Sequence, residues 1–192
     1  DKVMRNAGVD TVSRLSTVAP KTLYYAWLDA RREFRFSILY TLPVYDGVIL
    51  QKGGFTADTI ADMPCMLGST RTDMFPIVLR HLNKKWGRYM EKHRESNCYL
   101  YNFTRSLPGD DKGAWHSADL LYAFSTLDFN WRPFETIDYE ISRQLSQAIC
   151  AFVKSGDPNC DAIPEWHSGY KKPMHFCENT HCANGTVHEY IS

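Results

Sequence analysis

Cys98-Tyr99-Leu100-Tyr101-Asn102-Phe103 is an apolar, strand-like run. A polar stretch, Thr104 to Lys112, follows it. Then comes Gly113-Ala114-Trp115-His116-Ser117-Ala118-Asp119-Leu120-Leu121-Tyr122-Ala123-Phe124, whose last five residues suggest a short helix. The fold turns on this succession of strand, loop and helix. It delivers His116 to a junction where the ring is fixed in orientation yet can face a cleft. An imidazole titrates near neutral pH, so a histidine held this way suits general-base work.

Upstream, Met63 to Leu67 reads as a buried strand ending in a loop at Gly68-Ser69-Thr70. From Met74 the period changes. Phe75, Val78, Leu79, Leu82, Trp86 and Tyr89 fit one helical face, and His93 and Arg94 suit that helix's C-terminal end. Downstream, Ile137, Ile141, Leu145, Ile149 and Phe152 mark a long helix with Pro133 near its start. Ser155-Gly156-Asp157-Pro158 stops it. Trp166 onward is loop-rich, with strand-like Met174-His175-Phe176 and Val187 to Ile191. Towards the start, Pro20 to Arg32 reads as a helix with Leu23, Ala26, Trp27 and Ala30 on one face. Phe34, Phe36, Ile38 and Tyr40 alternate, and Pro43-Val44-Tyr45-Asp46-Gly47 makes a turn. The order strand, loop, helix, strand, loop, helix argues an α/β fold with parallel strands, each helix supplying a crossover. Ligands in such sheets bind beyond the C-terminal strand ends. The loops leaving those ends carry Asp73 and His116.

With 192 residues and 44% hydrophobic content, the chain can bury one good core. Lys+Arg and Asp+Glu are both 22, so the formal net charge is zero. That balance argues against nucleic acid or an anionic membrane as main partner, and no apolar run is long enough to span a bilayer. No signal-like segment opens the chain, which says nothing about a parent protein if this is a fragment.

Cys65, Cys98 and Cys150 read as small buried hydrophobes, and a disulfide framework is not expected. His175, Cys177, His181, Cys182 and His188 invite a zinc reading, but the cysteine spacing is unusual for structural zinc and no second pair completes it. A solvated loop, or one bridge between Cys177 and Cys182, fits better. Two Asn-x-Thr sequences occur, at Asn102 and Asn184. The first lies inside the expected buried strand, where chance explains it.

In order, Pro43 to Gly47, Leu67-Gly68-Ser69-Thr70-Arg71-Thr72-Asp73, Tyr99 to Phe103, Gly113 to Asp119, Ser155 to Asn159 and Trp166 resemble the blocks of type-B carboxylesterases, the cholinesterase–carboxylesterase family. The similarity runs from about Ala19 to about Phe176. It implies the C-terminal part of an α/β-hydrolase fold, with His116 as catalytic histidine and Asp73 as triad acid. It also implies a supporting role in the active-site network for Asp119. Tyr122 and Phe124, soon after the histidine, are candidate pocket residues. The family usually has glutamate where Asp73 stands, so the shorter side chain demands a closer backbone approach. Each residue also has a plainer reading. His116 could be a structural histidine tied to a carboxylate, Asp73 a helix N-cap contributing about 1 kcal/mol, and Asp119 an early-helix acid facing the dipole.

No Gly-x-Ser-x-Gly occurs anywhere in the sequence. The expectation is therefore a single C-terminal segment, 1–192, of a longer hydrolase, with nucleophile and oxyanion loop in the missing N-terminal part. The implied reaction is hydrolysis of small, uncharged, moderately apolar carboxylic esters through an acyl-enzyme, with no metal or organic cofactor. Alone the chain should be inactive by that route, and an exposed sheet edge should favour self-association. The competing expectation is a non-catalytic, adhesion-type binding module of the same fold.

Overall fold

The computed structural model describes residues 1–33, 45–50 and 61–182. The alternation from Phe34 to Tyr40, the first half of the expected turn, Asn184, the Val187–Ile191 strand and His188 lie outside the described residues. The chain divides into two compact units, Asp1–Thr59 and Ile60–Ser192.

In the first unit, helix α1 (Lys2–Asn6) and a 3-10 turn (Val12–Thr17) precede α2 (Pro20–Arg32). Helix α2 has the bounds expected from its pattern, with proline in the first turn, where its missing N–H costs nothing. Ala26 and Ala30 are buried along it, and the Asn6 amide donates to the Ala26 carbonyl at 3.1 Å. The Asp46 carboxylate accepts the amides of Val48, Ile49 and Leu50, closing the turn at Gly47.

Among its described residues the second unit holds a four-stranded sheet in sequential order, β1 (Cys65–Thr70), β2 (Cys98–Phe103), β3 (Met174–Phe176) and β4 (His181–Cys182). The first three are parallel, and β4 turns back antiparallel. Helix α3 (Pro76–His93) crosses from β1 to β2. The short α4 (Ala118–Ala123) and the long α5 (Thr136–Ser155) lie between β2 and β3. Glu135 and Asp138 form a capping box at the start of α5, and Gly156, at φ 78°, ends it in the left-handed conformation that glycine adopts without strain.

Alternation along β2 sorts the core into two layers. Tyr99 and Phe103 point towards α4 and α5, joining Tyr122, Ile141, Leu145, Trp166, Met174 and Phe176, all buried. Cys98 and Leu100 point the other way, against Met90 and Trp86 of α3. Each fully buried Ile or Leu contributes about 1.5–3 kcal/mol.

Three expectations are corrected. The first strand continues through Gly68, Ser69 and Thr70, which pair with Tyr101, Asn102 and Phe103 instead of forming a loop. The buried stripe of α3 runs through Gly87 and Met90, while Phe75, Val78 and Leu82 are exposed. The close approach to Leu100 and Tyr170 is made at a glycine, which hydrophobic periodicity ignores. Cys150 is exposed on the outer face of α5 rather than buried. Asn102 is buried in β2, as its strand position implied. No helix of the described residues is long and apolar enough to cross a membrane.

Candidate active site

Past their last residues, β1 and β2 remain stitched together. The Arg71 amide donates to the Phe103 carbonyl at 2.9 Å, and the Thr72 amide to the Ala114 carbonyl at 3.0 Å. Thr72 and Trp115 form a parallel bridge beyond the sheet proper. Gly113, at φ 67°, lets the second loop come this close, since an added Cβ would meet the Thr72 hydroxyl at 3.3 Å. Ala114 and Ala118 are fully buried on either side of the His116 turn. Small anchors within the core leave the imidazole facing outward. Ser117 takes a left-handed conformation, φ 71°, to turn the chain into α4.

The result is a contact of 2.7 Å between His116 Nδ1 and Asp73 Oδ1. The Asp73 side chain is 8% exposed and that of His116 60%. Asp73 also accepts the Met74 amide at 2.7 Å and the Thr70 hydroxyl at 3.1 Å. Burial pushes its carboxyl up, but the Met74 amide, the His116 ring and the Thr70 hydroxyl outweigh that and hold it below the usual range. An ionised carboxylate only accepts, so Nδ1 carries the proton, and in the neutral ring Nε2 then presents a lone pair. Nε2 has no hydrogen-bond partner among the described residues. Asp73 is not a helix cap. Phe75 occupies the N-cap position of α3, and no side chain caps it. The short aspartate reaches the ring because the Thr72–Trp115 bridge holds the two loops together.

Asp119, in the first turn of α4, accepts the Tyr101 hydroxyl at 2.9 Å. The Tyr101 ring lies directly over Gly68, its register partner on β1, where any Cβ would overlap the ring. Burial and then the Asp119 charge push the Tyr101 phenol well above its usual range. Tyr122 lies in the core, not beside an open cleft. Its ring packs on Phe103 and Phe134, and its hydroxyl donates to Asp138 at 2.7 Å. Phe124 is 72% exposed just past α4.

Sequence reasoning missed Thr70, Gly68 and Tyr101 as partners of the site. It also missed Arg105, whose guanidinium donates twice to the buried Asp138, at 2.8 and 3.1 Å, and once to Glu178 at 2.7 Å. This network ties the end of β2 to α4, α5 and the loop after β3. A signal was available, because Asp138 falls on the same helical face as Ile141 and Leu145.

In the tail, the His175 and His181 rings stack at 5.1 Å, and the Cys177 thiol donates to the Asn179 carbonyl. Among the described residues no cluster of three or more His, Cys, Asp or Glu is arranged to hold a metal ion. A cavity of about 500 Å³ opens beside α3 and β2, lined by Arg80, His81, Lys84, Leu100 and Asn102 among others. Neither Asp73 nor His116 lines it.

A sequence profile of the Carboxylesterase family matches residues 77–189, more than half of the chain. No curated protein sequence matches. Among solved structures, PNB esterase superposes with a TM-score of 0.72 at 14% identity, covering 98% of this chain and 51% of its own. The Geobacillus stearothermophilus carboxylesterase EST55 gives 0.64 at 17% identity, covering 98% and 51%. An esterase from anaerobic Clostridium hathewayi, described as able to hydrolyse aliphatic aromatic polyesters, gives 0.58 at 18% identity, covering 95% and 48%. The likeness shows the α/β-hydrolase fold. This chain spans about half the length of those structures.

Proposed function

The chain belongs to the carboxylesterase family, and from that premise we propose that it is the C-terminal part of a serine esterase and carries two members of the triad. A serine from the remainder of the enzyme attacks the ester carbonyl. His116 Nε2 takes the serine proton and returns it to the leaving alcohol, then repeats the exchange with water to release the acid. Asp73 fixes the tautomer and stabilises the imidazolium formed at each attack. Asp119, held by Tyr101, steadies the start of α4 three residues beyond the histidine. Oxyanion donors come from outside these residues, and no metal or organic cofactor takes part.

The observation that carries this reading is the 2.7 Å contact from buried Asp73 to exposed His116, with Nε2 left open. The test is hydrolysis of a chromogenic ester by the full-length enzyme. His116→Ala should lower kcat by about 10⁶-fold while the circular dichroism spectrum stays unchanged. Undiminished hydrolysis by that variant would reject the assignment of His116, whereas no hydrolysis by the unmutated full-length protein would favour a binding module. This chain by itself should hydrolyse the ester no faster than free imidazole does.

A further inference from the structure

We propose that Cys65 and Cys98 form a reversible intramolecular disulfide, a thiol-modification site at the N-terminal ends of β1 and β2. The proposal does not rest on the esterase reading. The two cysteines are direct register partners on neighbouring parallel strands. The Cys65 amide donates to the Asn97 carbonyl at 3.0 Å, so the pairing is intact up to this point. Neighbouring strands lie about 4.8 Å apart, inside the Cα separation of about 4.4–6.8 Å that a disulfide bridges. Both thiols are free, both pack into the small apolar cluster with Trp86 and Met90, and they are close enough to hydrogen-bond each other.

Their surroundings set the order of events. Cys65 is partly exposed and Cys98 is buried. The Cys98 thiol donates to Cys65 and, against burial and with help from the Trp86 indole, brings Cys65 down to about 7. The best attacking thiol is one that titrates near ambient pH. The hydrogen bond to Cys65, burial and the Cys65 charge all push Cys98 up. The Cys65 thiolate therefore attacks a small disulfide such as oxidised glutathione, forming a mixed disulfide and releasing one glutathione thiolate. Cys65 is then neutral, and two of the influences holding the proton on Cys98 are gone. Cys98 gives that proton to the released thiolate and attacks the Cys65 sulfur, expelling the second glutathione. Two protein thiols are oxidised, one glutathione disulfide is reduced, and two molecules of reduced glutathione leave. Asp73 and His116 lie beyond the opposite ends of the same strands, so the bridge and the dyad do not compete for space.

The whole chain, fully reduced, would be equilibrated across a series of reduced-to-oxidised glutathione ratios. It would then be quenched with an alkylating agent and mapped as non-reduced peptides. One linked species joining the Cys65 and Cys98 peptides is expected, with no glutathione adduct persisting on Cys65. In Cys98→Ser, Cys65 should stop at the glutathione adduct. The proposal is overturned if both residues are alkylated at ratios that already modify exposed Cys150. It is overturned equally if wild-type Cys65 ends as the glutathione adduct. The wild-type map decides the matter even where the variant fails to fold.

Discussion

Asp138 and Asp73 are both carboxylates held below the usual range by the donors around them, and they are built into the protein in opposite ways. Asp138 is wholly buried. Its oxygens accept two guanidinium N–H groups from Arg105, the Tyr122 hydroxyl and the Glu135 amide, and no face of it looks outward. Asp73 is nearly as buried, but one of its three donors is a ring that is mostly exposed and whose far nitrogen is open. The first arrangement ends in itself and holds elements together. The second passes its influence through the ring to whatever meets Nε2. Burial and a depressed pKa do not separate the two kinds of site; the open end of the network does.

The comparison breaks most sharply at Asp138. Asp138→Asn leaves Arg105 charged in the interior facing a neutral amide, and removing one partner of such a pair costs about 3 kcal/mol. Urea unfolding followed by tryptophan fluorescence checks this, and a loss below about 1 kcal/mol would mean the network is not what holds α5 to β2. Gly68→Ala comes next, at about 2 kcal/mol, because the Tyr101 ring must move off β1. Its signature is that Tyr101→Phe, which keeps the ring and loses only the hydroxyl, costs less. Asp73→Asn should cost least, about 1 kcal/mol or below, since its partner is exposed. Its effect should appear instead in the ¹⁵N spectrum of His116, where the preference for a protonated Nδ1 is lost. An unchanged tautomer would break the contrast altogether.

The pH dependence sharpens it further. For both carboxylates the folded value lies below the unfolded one, about 3.9. In that window the unfolded chain binds more protons, so stability rises with pH. The contribution is complete above the unfolded value and disappears as pH falls through the folded one. Asp138 is wholly buried against a permanently charged guanidinium and Asp73 faces an exposed ring, so Asp138→Asn should flatten the acid limb of the stability profile more than Asp73→Asn does. Unfolding curves between pH 2 and pH 7 would show equal flattening if the two carboxylates were equivalent.

Much of this was legible in the sequence because it lay in local pattern. Strand β2 and helices α2 and α5 sit where alternation, helical period, Pro20 and Gly156 put them. The order of elements implied a parallel sheet with Asp73 and His116 beyond its strand ends. What periodicity could not carry was the meaning of small residues. Gly68, Gly87 and Gly113 each admit a close neighbour, Tyr101, Tyr170 and Thr72 respectively. A pattern of hydrophobicity reads such positions as gaps, so β1 looked too short and the buried face of α3 looked rotated. Long-range polar partners were hidden for a related reason. Arg105 and Asp138 stand 33 residues apart, and only their shared place in the folded chain makes them a pair.

Gly68 has one more consequence. A parallel pair of strands has an evenly spaced ladder, so sliding β1 against β2 meets no hydrogen-bond penalty beyond the ends. Yet a slip by one residue would shift Asp73 by about 3.3 Å and turn it to the opposite face. Only one position on β1 lacks a side chain to obstruct the Tyr101 ring. Gly68 is a notch and Tyr101 the key that seats in it, and a slip by one residue drives the ring into Leu67 or Ser69. The alignment between a carboxylate and an imidazole 43 residues apart is thus indexed by a missing methyl group in the middle of the sheet.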